Sequence, residues 1–196
     1  MDQGITEEVV TGAEAAVYIQ THSVIKKRVR KKYRAAELDT KLRKERTKLE
    51  AKIQSDARKA GVPTPIIQEI NGFDITMERI EGQPVSLVIN ETIAEQIGEV
   101  VCTLHSAGIA HGDPTTRNMI VSNTRIYLID FGLASNDRSL EARGVDVHVF
   151  FQSLEALHEN YRTLKKAFLV GYGKKCRDIE QVLSKVEEIE RRGRYL

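Results

Sequence analysis

The stretch Ile109-Ala-His-Gly-Asp-Pro-Thr-Thr-Arg-Asn-Met-Ile-Val121, with Tyr127-Leu-Ile-Asp-Phe-Gly-Leu133 shortly after it, decides how this chain is read. Asn118 stands five positions after Asp113 of His111-Gly112-Asp113, and Asp130 of Asp130-Phe131-Gly132 follows 12 positions later. Transfer of a phosphoryl group needs a carboxylate that orients the attacking hydroxyl and accepts its proton. It also needs hard oxygen ligands for magnesium on the phosphates. Asp113 fits the first role, and Asn118 and Asp130 fit the second. Met119–Ser122 and Arg125–Ile129 read as the strands of a short hairpin around Asn123-Thr124. With Asn118 ahead of one strand and Asp130 behind the other, both lie at the same end and share a magnesium site. Each tripeptide alone is common in ordinary turns; their order and spacing carry the reading.

Upstream, residues 5–29 alternate as three antiparallel strands, Ile5–Val10, Glu14–Ile19 and Ser23–Val29. Phosphate-covering loops are rich in glycine because backbone N–H groups must approach the phosphates closely. The loop here, Thr11-Gly-Ala-Glu-Ala-Ala-Val17, keeps one glycine, so it bends over a nucleotide but is stiffer. Its Gly12, Ala13, Glu14 and Ala15 are the residues expected to face the phosphates. Lys26 shares a strand face with Val24 and is preferred over Lys27 as the lysine that touches them. A long helix then spans Tyr33 to Ala60, stopped by Gly61-Val62-Pro63, with Leu38, Leu42, Leu49 and Ile53, joined by Ala35 and Ala57, as its thin inward stripe. A helical glutamate must hold the lysine in place; Glu50 is the first candidate and Glu45 the second. Pro65–Ile70 and Phe73–Ile80 form a hairpin around Asn71-Gly72. In a two-lobed kinase the connecting segment offers main-chain groups to adenine, which singles out Glu78 and Ile80.

Downstream of the hairpin, a helix from Glu91 to Ala107 leads into the His-Gly-Asp loop. Beyond Gly132 the chain is short for a protein kinase: it has no Ala-Pro-Glu, and three helices at about 144–158, 160–172 and 176–192 complete it. There is little platform for a long peptide. Asp146 either caps the first of these helices or braces the His-Gly-Asp backbone. His148 and His158 read as packing or surface residues. The expected fold is α+β and bilobal: residues 1–79 hold a five-stranded antiparallel sheet with one long helix, and residues 80–196 a reduced helical lobe.

The composition agrees with a folded, water-facing chain. With 196 residues and 41% hydrophobic content it builds a real core. No run of about 18 apolar residues marks a membrane span and no leader pattern opens the chain, so a cytoplasmic location is expected. Cys102 and Cys176 lack zinc-site spacing and are expected as separate, reduced thiols, Cys102 as a small core residue. Residues 26–34 carry seven basic groups in nine, a patch that suits RNA phosphates or an acidic partner as well as a plain solvated face, and the chain ends in the basic Arg191-Arg-Gly-Arg194.

Taken together, these residues resemble the small atypical serine/threonine kinase or ATPase subunit of the KEOPS (EKC) complex in its stand-alone archaeal form. The likeness rests on Gly12-Ala-Glu-Ala, Val24-Ile-Lys-Lys-Arg, Tyr33-Arg with Leu38-Asp39, Arg46-Thr47 with Glu50-Ala51, Met77-Glu78 with Ile80-Glu81-Gly82, His111-Gly-Asp with Thr115-Thr116 and Asn118-Met119, Ile129-Asp-Phe-Gly-Leu133, Gly144-Val-Asp146, and Arg192-Gly-Arg194. It runs from about residue 11 to the end, and the short length is usual in that family. The resemblance implies that Lys26 binds ATP phosphates, Glu50 pairs with it, Asp113 is the catalytic aspartate, and Asn118 and Asp130 hold Mg. It further implies weak autophosphorylation, ATP hydrolysis in support of a Kae-type tRNA threonylcarbamoyltransferase, and contact with a Cgi-type regulatory subunit. The basic tail would then reach toward the partner's active site or the tRNA, and the basic small lobe toward tRNA. Two other readings stay open: a small-molecule phosphotransferase of the aminoglycoside or choline kinase type, and a scaffold with a vestigial nucleotide site.

Overall fold

The computed structural model describes residues 8–12 and 14–193. Its first layer is a five-stranded antiparallel sheet of β1 (Glu8–Thr11), β2 (Ala15–Ile19), β3 (Ser23–Arg28), β4 (Ile67–Asn71) and β5 (Asp74–Glu78), in the order β1-β2-β3-β5-β4. Register sets Lys26 opposite Val17 on one side and Ile75 on the other, so the lysine occupies the central strand. The helix α1 (Ala36–Lys59) packs on this sheet over a small core of Ala51, Ile75 and Met77.

Two details of α1 differ from the sequence expectation. Tyr33 stays outside the helix, because residues 31–34 form a turn that the buried Asp39 holds by accepting the Lys31 main-chain N–H at 3.0 Å. The expected stripe faces inward only in part: Ile53 and Ala57 are buried and Leu42 is half-buried, but Leu38 and Leu49 are about half exposed, and Asp39, Thr47, Glu50, Ala51 and Gln54 are buried beside them. The helix turns a largely polar face to the protein, since the charged groups of the sheet lie there.

After β5 the chain passes through β6 (Gln83–Pro84) and the single turn α2 (Val85–Val88), neither of which the sequence pattern announces. Next comes α3 (Glu91–Ser106), whose cap Asn90 accepts the Ile93 N–H at 2.9 Å. Short β7 (Ile109–Ala110) leads into the His-Gly-Asp loop and a 3₁₀ turn over Thr116–Asn118. The hairpin of β8 (Met119–Ser122) and β9 (Arg125–Leu128) then turns through Asn123 and Thr124, both at positive φ, 45° and 67°. Such a turn matches the twist of the strands it joins.

A strand pair of β7 and β10 (Ser135–Asn136) precedes α4 (Leu140–Leu157), α5 (Tyr161–Lys175) and α6 (Ile179–Gly193). Ser139 caps α4 by accepting the Ala142 N–H at 3.1 Å, which sets its start four residues before the expected 144. Phe150, Phe151, Phe168 and Tyr172 stack through the main core, with Phe150 and Phe168 at 4.7 Å between ring centres. Burying each such ring contributes about 2 kcal/mol.

The packing of α3 against α5 is unusually close because glycines meet there. A Cβ on Gly98 would strike the Phe168 carbonyl, and one on Gly171 the Glu95 carbonyl. This approach overturns the expectation of two separate thiols: Cys102 and Cys176 are joined in a disulfide, with Cα atoms 5.9 Å apart. Seventy-four positions of sequence separate the two cysteines, and only the helix contact brings them together.

Candidate active site

The two strands that frame the site place Lys26 and Asp130 face to face. Lys26 Nζ lies 2.6 Å from Glu50 Oε1 and 2.6 Å from Asp130 Oδ1. Burial alone would lower the lysine's pKa, but the Glu50 and Asp130 carboxylates outweigh it and hold it above 10.5. Burial likewise works to raise Asp130, and the Lys26 ammonium overrides it, keeping the carboxyl below 3.8. Asp130 adopts φ 63°, left-handed backbone that an ordinary residue avoids, and the Gly132 N–H donates to its Oδ1 at 3.1 Å. That geometry brings the carboxylate to Lys26 while leaving it half exposed at the mouth of the site.

Asn118 sits at the other side of the same opening. Its Nδ2 donates to Asp113 Oδ2 at 2.8 Å and to the Asp113 carbonyl at 2.9 Å. With the amide nitrogen committed to Asp113, the amide oxygen is the atom left to meet a cation. The Ile129 N–H donates to the Asn118 carbonyl at 3.0 Å, tying the two ends of the hairpin together. An amide oxygen and a carboxylate form the hard donor set that magnesium takes when substrate phosphates supply the remaining ligands.

A cavity of about 860 Å³ opens beside these groups. Lys26, Asn118 and Asp130 line its polar end, and Val17, Met77 and Ile129 are among its apolar walls. Glu78 and Ile80 line it as well. Glu78's main-chain N–H is committed to the Ile66 carbonyl at 2.9 Å, and its carboxylate accepts the Ile66 N–H at 3.0 Å. Glu50 stands behind the cavity and touches it through Lys26, and Asp113 through Asn118. Glu45 is exposed on α1, on the other side from Glu50. In the loop ahead of β2, Gly12 N donates to the Ala15 carbonyl at 2.9 Å, and Ala15 itself is buried. The Glu14 carboxylate turns away to Arg46 and Arg28. Ala13 lies outside the described residues, as do the last residues of the basic tail, 194–196.

Behind the His-Gly-Asp loop lies a buried polar network. Asp146, in the middle of α4 and not at its cap, accepts the main-chain N–H of His111 at 2.6 Å and of Gly112 at 2.8 Å. Of the two sequence alternatives, bracing the loop is the one observed. His105 Nε2 reaches the same carboxylate at 3.0 Å, its Nδ1 meets Tyr172 Oη at 2.9 Å, and Arg143 joins Tyr172 to Asp178. No sequence pattern singles out His105, Arg143, Tyr172 or Asp178, which come from four different helices or their ends. His111 packs on Phe131 with its Nε2 3.2 Å from the Ile129 carbonyl; burial keeps the ring's pKa below 6.5.

A RIO domain matches residues 10–156. A protein of Archaeoglobus fulgidus, named a probable serine/threonine-protein kinase BUD32 homolog, is 49% identical over 96% of this chain and 96% of its own length. A Methanosarcina mazei protein, named a probable bifunctional tRNA threonylcarbamoyladenosine biosynthesis protein, is 51% identical over 94% of this chain. The chain spans about a third of the length of that relative, 35%. Among solved structures, the Rio2 kinase of Chaetomium thermophilum in complex with ADP, Mg²⁺ and phosphoaspartate superposes with a TM-score of 0.63 at 15% identity, over 96% of this chain and 70% of that one. The fold is therefore bilobal and protein-kinase-like, with a small antiparallel sheet lobe and a reduced helical lobe. The chain belongs to the RIO-domain family, and within it to the group of the archaeal Bud32 homologues.

Proposed function

We propose that the chain is an ATP-dependent phosphotransferase with ATPase activity, a serine/threonine kinase type that serves the KEOPS complex in forming threonylcarbamoyladenosine on tRNA. The observation that carries this reading is Lys26 held 2.6 Å from both Glu50 and Asp130 at the polar end of the cavity, across from the Asn118–Asp113 pair. In this reading Lys26 binds the ATP phosphates and Glu50 fixes it there. Asn118 and Asp130 hold magnesium, which when bound neutralises charge on the phosphates. Asp113, its carboxylate steadied by Asn118, orients the attacking hydroxyl or water and takes its proton. The Glu78 carbonyl and the Ile80 N–H meet adenine, with Gly12, Ala13 and Ala15 closing over the phosphates from above. The lobes divide at 79/80, ahead of Gly82.

Support for the nucleotide comes from the same-fold Chaetomium kinase complexed with ADP and Mg²⁺, and support for the pathway from the relatives' names. The partners are a Kae-type threonylcarbamoyltransferase and a Cgi-type regulatory subunit, with tRNA meeting the basic residues 26–34 and the tail; such work is cytoplasmic. Among the described residues no helix is long and apolar enough to cross a membrane. The test is phosphate release from MgATP with and without a Kae-type partner and tRNA, in wild type, Asp113→Ala and Asp130→Ala. Stimulation by the partner that both substitutions abolish supports the reading. Turnover that ignores the partner and rises with an aminoglycoside or amino alcohol refutes it.

A further inference from the structure

Arg28 and Glu14 sit directly behind the Lys26–Glu50 pair. Arg28 follows Lys26 by two on β3 and so shares its face; its side chain is only 5% exposed. Its Nη2 grips Glu50 Oε2 while Lys26 holds Oε1, and its Nη1 lies 3.5 Å from Glu14 Oε2. Arg46, on α1, takes that same Glu14 oxygen at 2.8 Å. The charges therefore alternate without a break through Arg46, Glu14, Arg28, Glu50, Lys26 and Asp130. They join α1, the loop ahead of β2, the central strand and the Asp-Phe-Gly segment. Arg28 Nε is buried without a hydrogen-bond partner. A guanidinium kept there with one donor unmatched is retained for its charge on two carboxylates, since burial of an isolated cation is costly.

We infer that Glu14 is a positioning residue: it latches the glycine-poor loop onto α1 through Arg46 and Arg28, and so holds that loop over a bound nucleotide. The inference rests on the nucleotide reading of the cavity. Where a glycine-rich loop settles on phosphates through its backbone, this loop keeps one glycine in the stretch 11–17 and is fixed by a side-chain ion pair plus the Val29 N–H donating to the Glu14 carbonyl at 3.1 Å. Arg28 has a companion role. When phosphates draw Lys26 Nζ toward them, Glu50 keeps Arg28 as a partner, and no buried carboxylate is left unpaired. Cutting the latch removes loop order before binding, so affinity for the nucleotide falls while the transfer step is untouched.

The experiment is a double-mutant cycle on Glu14→Gln and Arg46→Gln, reading the dissociation constant for MgATP by calorimetry and the transfer rate at saturating ATP. Glu14→Gln, which cuts the contacts to both Arg46 and Arg28, is expected to raise the dissociation constant about fivefold, Arg46→Gln by a smaller factor, and the double by about fivefold in total, because the Arg46 contact is already lost in Glu14→Gln. The saturated rate stays within about twofold of wild type, and thermal melts stay close to wild type, since both side chains are nearly half exposed. Singles that bind MgATP like wild type, or whose effects multiply, overturn the latch while leaving the nucleotide site standing. A wild-type protein that binds no MgATP overturns the cavity reading and the latch with it.

Discussion

The carboxylate of Asp146 accepts the main-chain N–H of His111 at 2.6 Å, 35 positions away in sequence and buried from solvent. Together with the Gly112 N–H at 2.8 Å and His105 Nε2 at 3.0 Å, it locks the backbone that presents Asp113. Asp146→Asn keeps the shape but puts an amide N–H₂ against donors. The expected loss is about 3 kcal/mol, and a fall of roughly 10 °C in a thermal melt checks it.

His111 gives the native state a defined pH response. Its ring is buried and its pKa lies below 6.5, the value it takes when unfolded. Below about pH 6.5 the unfolded chain takes up a proton that the native ring refuses, so the unfolded state binds more protons and stability falls as pH drops, by at most about 1.4 kcal/mol per pH unit. Above pH 6.5 this contribution is flat. Asp130, held below 3.8 by Lys26, adds its own loss only under pH 3.8, so the two windows separate. Melts from pH 8 to 4.5 on wild type and His111→Asn check this, and the variant should show the shallower slope between about 6.5 and 5.

Gly171→Ala forces a Cβ into the Glu95 carbonyl and must push α5 off α3. Chemical denaturation should show a loss of about 3 kcal/mol. Gly173→Ala, whose nearest neighbour is the side chain of Ile179, serves as the mild comparison and should lie within about 1 kcal/mol of wild type.

The Cys102–Cys176 disulfide closes a long loop that holds the entire His-Gly-Asp and Asp-Phe-Gly machinery. By chain-entropy reasoning its reduction removes up to about 4 kcal/mol. Melting the protein with and without a dithiol reductant measures this directly: wild type should drop by roughly 10 °C, while Cys102→Ala/Cys176→Ala should melt alike in both.

Much of the site was legible in the sequence because its parts are local. The five-residue spacing of Asp113 and Asn118 and the strand alternation that favours Lys26 need only a few neighbours. Glu50 was legible from its place beside Ile53 on the helix stripe, although Leu38 and Leu49 of that stripe stay about half exposed. Periodicity reads apolar residues, and α1 turns charged and polar ones inward because their partners, Lys26 and Arg28, come from a different strand. The same limit hid the disulfide and the His105–Asp146–Tyr172 network. Their bonded pairs stand 41 to 74 positions apart and meet only after α3, α4 and α5 have packed.

In the proposed function Lys26 and Asp130 face one another to receive a magnesium-bound nucleotide. Calorimetric titration with MgATP tests it most directly, comparing wild type with Asp130→Asn and with wild type in a magnesium chelator. The wild type is expected to bind, with affinity weakened at least about tenfold both on substitution and on chelation. Wild-type protein that takes up no MgATP, or an Asp130→Asn variant that binds it equally well, would contradict the account.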